Sequence, residues 1–421
     1  MEYSRRLVDL TLDRLLPSLP AIALEGAKGV GKTATASQRC DDVFSLDKGA
    51  TRTLIALDPE IILASQGTTF IDEWQLVPEV WDVVRHAVDD GAAPGRFVLA
   101  GSAGPQPGTR IHSGAGRIVR VMMRPMSLPE RGLETPTVSL SELLSGSHPD
   151  IDGRTGMVTA DYAEEIVASG FPGIRRVDAS VRGDLLDSYI DRIVDHDIDE
   201  AGSNIRRPAA LREWLAAYGA ATGTTASYSS ILRAATPGQE DKPAKQTAMT
   251  YRDLLQRMWI LDPLPAWVPG STPLMRLAQS PKHHLVDPAL AARLAGATFS
   301  SLIRGEGPAH HDNTFLGALF ESLGAQTVRS LAQVAGAKTY HMRVQGGEHE
   351  IDIIVERPDR KILAIETKLS PMVRPADVAH VNWLETQIPD LLLDRIILNT
   401  GDRAYRRKDG VAVIPLSLLG L

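Results

Sequence analysis

Over the first third of the chain, short apolar runs alternate with stretches whose apolar residues recur every three or four positions. This is the pattern of a parallel sheet with crossover helices. Runs at 20–25, 43–47, 69–72, 96–100 and 118–123 read as five strands, with a helix over 78–90 between the third and fourth. Residues 134–160 are rich in Ser, Gly, Thr and Asp and read as a loop or insertion. From 161 to about 297 the periodicity is mostly helical: 181–197, 209–221 and 248–260 place apolar side chains at helical spacing, and 228–235 reads as a short helix. The turn at 237–243 and an extended Trp-Ile-Leu segment after the last of these helices complete the outline of a winged helix. Beyond about 298 the pattern changes again. A helix over 313–334 precedes strand-like runs at 338–344, 349–356 and 361–368, followed by a helix at 375–387 and a strand at 395–398.

The length of 421 residues suffices for two or three domains, and 43% hydrophobic with 23% charged residues is an ordinary globular balance. No apolar run is long enough to span a membrane and the N-terminus has no signal-peptide core, so a cytoplasmic protein without membrane contact is expected. Cys40, the one cysteine, excludes an internal disulfide and a cysteine-rich zinc site, and reads as a buried small residue. A net charge of −7 leaves nucleic-acid binding to a local basic patch. Lys245 and Arg252, on the third helix of the middle region, make a thin one.

The segment Gly26-Ala-Lys-Gly-Val-Gly-Lys-Thr33 stands between a strand and a helix, the context in which a glycine-rich loop cradles phosphates. Gly26, Gly29 and Gly31 let the backbone close around the ligand, Lys32 reaches the β- and γ-phosphates, and Thr33 offers a hydroxyl to Mg²⁺. The expected ligands are therefore ATP and Mg²⁺, with Gly26, Ala27, Lys28, Gly29, Val30, Gly31, Lys32, Thr33 and Ala34 as the binding set. In Thr68-Thr-Phe-Ile-Asp-Glu-Trp-Gln75, Asp72 is placed to hold the Mg²⁺ and Glu73 to position and deprotonate the attacking water. Ser102, at the tip of the fourth strand, reads either as a group orienting that water or as a turn serine. Charge in the transition state calls for an arginine, from the same chain or a neighbouring subunit. Arg110, Arg117, Arg120 and Arg124 are candidates, with Arg117 preferred.

Near the C-terminus, Glu366 and Lys368 are two apart on one strand and so share a face, and a hairpin can bring Asp352 beside them. Two carboxylates and an ammonium are what metal-dependent phosphodiester cleavage uses, with Glu321 as an additional acidic ligand. A salt-bridged surface hairpin is the competing reading. The pairs His283-His284 and His310-His311 read as exposed, because adjacent histidines diverge and no third ligand is evident. Trp214, Trp259, Trp267 and Trp383 read as core residues.

Together Leu24-Glu-Gly-Ala-Lys-Gly-Val-Gly-Lys-Thr, Phe70-Ile-Asp-Glu-Trp-Gln, the Gly116–Glu130 run, Gly170-Phe-Pro, Tyr189–Asp197 and Gly347-Glu-His-Glu-Ile-Asp-Ile-Ile resemble a group of bacterial and archaeal AAA-type ATPases of uncertain role. The resemblance covers essentially the whole chain. It implies an α/β P-loop NTPase core of AAA type at 1–132, a linker and helical lid at 133–203, a winged-helix-like domain at 204–297 and a restriction-endonuclease-like α/β domain at 298–421. It also implies a homo-oligomer, a hexameric ring being one form, whose ATP sites are completed across subunits. Three functions stay open: ATP-gated cleavage of DNA, an ATP-driven switch acting on a protein partner with a silent C-terminal module, and a nucleotide-regulated DNA-binding scaffold.

Overall fold

The computed structural model describes residues 3–104, 114–198, 207–236, 245–267, 280–306, 314–344 and 347–421. Arg110, the His310-His311 pair, the turn at 237–243 and the Lys245 side chain lie outside that set. The chain divides into two units. The first combines Met1–Pro125 with Arg192–Arg206 and Asp253–Ile260, and the second takes Met126–Asp191, Arg207–Arg252 and Leu261–Leu421.

In the first unit, α1 (Leu7–Leu15) leads into β1 (Ala21–Glu25), α2 (Lys32–Ala36), β2 (Asp42–Ser45), α3 (Gly49–Leu57), β3 (Thr69–Asp72), α4 (Glu79–Asp89), β4 (Phe97–Gly101) and β5 (Ile118–Met122). The strands form one parallel sheet in the order β2-β3-β4-β1-β5. All five residues of β1 and of β4 are buried, as expected of central strands covered on both faces. Trp74, Val80, Trp81 and Val84 pack one face, and Ala36, Phe70, Val98 and Ala100 form a second cluster. Strand boundaries fall within a residue or two of those read from the pattern. The helix after the glycine-rich loop is shorter than expected: it stops at Ala36, where the Ser37 hydroxyl donates to the Thr33 carbonyl and the Gln38 amide to that of Ala34.

In the second unit the expected helical middle appears as Thr159–Val167, Ala179–Arg192, Pro208–Ala220, Tyr228–Ala235 and most of Lys245–Arg257. No regular ladder follows the last of these among the described residues. Leu261 and Leu264 pair antiparallel with Leu285 and Lys282 through isolated bridges, and residues 268–279 between them lie outside the described set. The strands are β6 (Val138–Ser139), β7 (Gly153–Arg154), β8 (Lys338–Arg343), β9 (Glu350–Glu356), β10 (Ile362–Lys368), β11 (Leu392–Asn399), β12 (Arg403–Arg406), β13 (Ala412–Pro415) and β14 (Leu419–Gly420). They build a mixed sheet β7-β12-β13-β11-β10-β9-β8 and a separate pair β14-β6. β9 and β10 form the expected antiparallel hairpin, while β10 and β11 run parallel. The long helix Phe315–Val334 is buried along most of its length.

Two burial expectations fail. His283 and His284 are not exposed: both are buried, because the backbone of Lys282 pairs with Leu264 and His283 N–H donates to the Thr224 carbonyl. Trp259 is only half-buried, while Trp214 and Trp267 are buried and Trp383 packs against the core cluster around Trp267.

Candidate functional site

The glycine-rich loop follows β1 at the carboxyl edge of the parallel sheet, where open α/β sheets bind ligands. Gly26 is required by space: a Cβ there would come 2.1 Å from the Met123 carbonyl oxygen. Gly29 and Gly31 adopt φ of 83° and 104°, a region L side chains avoid. Lys32 is buried and folds back on the loop, its ammonium donating to the carbonyls of Gly26 (2.8 Å) and Ala27 (3.0 Å). Burial pushes its pKa down to about 8, against the pull of Glu73 and Asp72.

The loop is tied down from outside. The buried Arg6, just ahead of α1, donates to the Val30 and Arg124 carbonyls at 2.9 Å each. Lys28 pairs with Asp197 at 3.2 Å, on the π-helical turn Ile193–Asp197, and Arg192 reaches the same carboxylate at 3.3 Å. Cys40 is half-buried, and burial raises its thiol pKa to about 12, which keeps it a protonated, inert group.

The strand β3 delivers the acidic pair. Thr33 Oγ1 donates to Asp72 Oδ2 at 2.8 Å, while Asp72 Oδ1 is buried without a hydrogen-bond partner. Burial raises the Asp72 pKa, with Thr33 opposing it. A hydroxyl beside a buried carboxylate oxygen that lacks a donor fits a hard divalent cation, so Thr33 and Asp72 would hold Mg²⁺ and ATP phosphates would lie along the loop. Glu73 takes a left-handed backbone (φ 54°) that is uncommon for a residue with a side chain. Its Oε2 accepts from the Ser102 hydroxyl at 2.6 Å, from the Ser102 N–H at 3.3 Å and from the Gln75 amide. Ser102 is thus engaged with Glu73, an arrangement that neither of the two sequence readings contained.

Arg117 does not serve its own site. It precedes β5, whose Ile118 is level with Ala21 at the start of β1, so it sits at the edge opposite the loop and pairs with Asp89 at 2.8 Å. Arg120 lies near Glu25 (3.5 Å) and over the Trp81 ring. Arg257, which the sequence reading did not name, meets the segment after β4 through its backbone. Its carbonyl accepts from Gly104 N–H at 3.0 Å, two residues beyond Ser102, and its Nε is buried without a hydrogen-bond partner. No local motif marks it, because 153 residues separate two positions that only the fold unites.

In the second unit Glu321, Asp352, Glu366 and Lys368 come together, as the spacing suggested. Lys368 donates to Glu366 Oε2 at 2.9 Å, and Asp352 Oδ2 accepts from the backbone and hydroxyl of Thr367 at 2.9 Å each. A residue absent from the sequence reading sits among them. The ammonium of Lys282, 1% exposed, lies 2.8 Å from Glu321 Oε1, 2.7 Å from Glu350 Oε1 and 2.9 Å from Asp352 Oδ1. Among the described residues no group of three or more His, Cys, Asp or Glu is arranged to hold a metal ion.

These geometries meet the comparisons with known proteins. Residues 18–131 match an AAA domain. The AAA domain therefore spans the sheet, the loop and the Asp72-Glu73 pair, while Arg6, Asp197 and Arg257 come from outside it. Residues 159–301 and 316–419 match two domains of unknown function (DUF8612 and DUF4143). Uncharacterized proteins of Mycobacterium bovis and Mycobacterium tuberculosis are each 24% identical over 99% of this chain and 84% of their own length. Among solved structures, a Walker-type ATPase of Pyrococcus abyssi is 14% identical, with a TM-score of 0.41 over 69% of this chain and 96% of its own. The replication initiator DnaA, solved with AMPPCP and single-stranded DNA, is 16% identical, with a TM-score of 0.23 over 61% of this chain and 88% of its own. No helix among the described residues is long and apolar enough to cross a membrane.

Ion pairs and hydrogen bonds hold the region around Gly170-Phe-Pro. Buried Arg131 donates to Glu165 at 2.9 Å, and Arg175 grips the same carboxylate with both terminal nitrogens. Buried Asp287 accepts from Gly170 N–H at 2.7 Å and Ser169 Oγ at 3.0 Å, fixing the Gly170-Phe-Pro turn.

Proposed function

We propose that the chain is a Mg²⁺-dependent ATPase that works as a nucleotide-driven switch. The reading is carried by one conjunction: a loop whose glycine cannot be replaced for lack of space, and a buried carboxylate oxygen without a donor at the tip of β3, whose other oxygen accepts from Thr33 of the loop. Bound Mg²⁺ would neutralise charge on the β- and γ-phosphates. On binding, Lys32 exchanges the Gly26 and Ala27 carbonyls for phosphate oxygens, and loop N–H groups from Gly26 to Ala34 enclose the phosphates. Glu73 takes a proton from the attacking water, held in position for it by Ser102 and Gln75. Arg257 supplies positive charge from the same chain, and Arg117, if used, acts on another copy in an oligomeric ring.

Lys32→Ala removes the phosphate-binding ammonium, and Mg²⁺-dependent phosphate release should fall to background. Turnover that survives this change would sink the proposal. The finer reading in which ATP hydrolysis drives metal-dependent cleavage of DNA rests on Asp352, Glu366 and Lys368. A switch whose C-terminal domain binds a protein partner without cutting is favoured by one observation, the Lys282 ammonium seated among those carboxylates.

A further inference from the structure

The C-terminal resemblance calls for a divalent cation among Glu321, Asp352 and Glu366, and the residues present do not fit one. Lys282 stands in its place. The ammonium donates to Asp352 Oδ1 at 2.9 Å and forms ion pairs with Glu321 Oε1 at 2.8 Å and Glu350 Oε1 at 2.7 Å. Those contacts, 2.7 to 2.9 Å, are ammonium–carboxylate distances, longer than the 2.0–2.1 Å of Mg²⁺ or the 2.3–2.6 Å of Ca²⁺.

Charge balance points the same way. Four carboxylates (Glu321, Glu350, Asp352, Glu366) face two ammonium groups (Lys282, Lys368), an excess of two negative charges if all ionise. Burial, with Asp352 adding to it, raises the pKa of Glu321 and of Glu366. Burial would discharge Lys282, but Asp352, Glu321 and Glu350 outweigh it and keep the amine charged. Burial likewise opposes ionisation of Asp352, and Lys282 and Lys368 overcome it. A divalent ion would have to displace the Lys282 ammonium from all three carboxylates.

We propose that Lys282 is the resident cation of this cluster and that the C-terminal domain, as folded, carries no divalent-metal site. Lys282 lies in the segment matched by one model of unknown function and its acidic partners in the other. The lysine is thus an ionic clasp between two sequence segments of the second unit. Its backbone is fixed as well, since Lys282 and Leu264 exchange both N–H···O bonds at 2.9 Å.

Mn²⁺ titration of nucleotide-free protein by calorimetry tests the assignment without reading ATP turnover. Wild-type protein should show no binding that Asp352→Asn removes. Lys282→Met leaves the carboxylates without their cation. It should gain one Mn²⁺ site per chain, with affinity at least tenfold above wild type and a rise in melting temperature on adding Mn²⁺. A wild-type site abolished by Asp352→Asn overturns the proposal, as does a folded Lys282→Met chain that takes up no Mn²⁺. Should Lys282→Met fail to fold, the wild-type and Asp352→Asn titrations decide the question.

Discussion

At the scale of single residues, the active loop is poised by a lysine that burial has made easy to discharge. In the ligand-free protein Lys32 titrates near 8, whereas adjacent phosphates favour its charged form. Nucleotide binding above pH 8 therefore takes up a proton, and affinity for ATP should fall as pH rises through that value. Calorimetry at pH 8.5 in buffers of different ionisation enthalpy reads the uptake directly; an enthalpy independent of buffer would contradict it. The linkage to stability has a defined sign too. The folded pKa lies below the unfolded value of about 10.4, so the unfolded chain binds more protons between these limits. The burial penalty of Lys32 is thus fully present below pH 8 and is relieved as pH rises toward 10. At the same scale, Lys32, Thr33, Asp72 and Glu73 were legible because each belongs to a motif of fixed spacing. Lys282 was not, because a lone lysine beside two histidines has no periodic or motif signature, and only burial reveals its partners.

Among the elements, the pattern of apolar runs located the sheet of the AAA domain well, since buried parallel strands have nearly continuous apolar sequence. It missed β12 and β13, four residues each, whose place depends on pairing with β11 and with one another. Position within the sheet also decided between arginines. Arg117 begins the fifth strand, and parallel pairing puts that strand start at the edge opposite the loop. The backbone carbonyl of Arg257, at the end of the helix Lys245–Arg257, accepts from Gly104 beyond β4 instead. Arg257→Ala should lower kcat about tenfold to a hundredfold and leave the KM for ATP within about threefold, since its charge is needed most in the transition state. An unchanged kcat would remove Arg257 from the mechanism, and a matched melting temperature would exclude a folding defect as the cause of a loss.

For the whole molecule, the ATPase unit is assembled from three stretches of chain, and two of them interrupt the second unit in sequence. Those two stretches place Asp197 on Lys28 and Arg257 on Gly104. If nucleotide also organises copies of the chain, as a ring-forming ATPase would require, mass photometry with ATP on Glu73→Gln protein should show a larger species that disappears without nucleotide. A constant monomer mass would confine the chemistry to one chain and leave Arg257 as the source of positive charge.

The amino-acid sequence by itself determined the phosphate loop, the order of the central strands' apolar runs and the Asp72-Glu73 pair. These depend on local spacing and on the periodicity that secondary structure imposes. Tertiary structure alone decided which cations meet which anions. Charge pairing is set by distance in space, and the chain brings Lys282 to Asp352 and Lys28 to Asp197 across separations that no local pattern records.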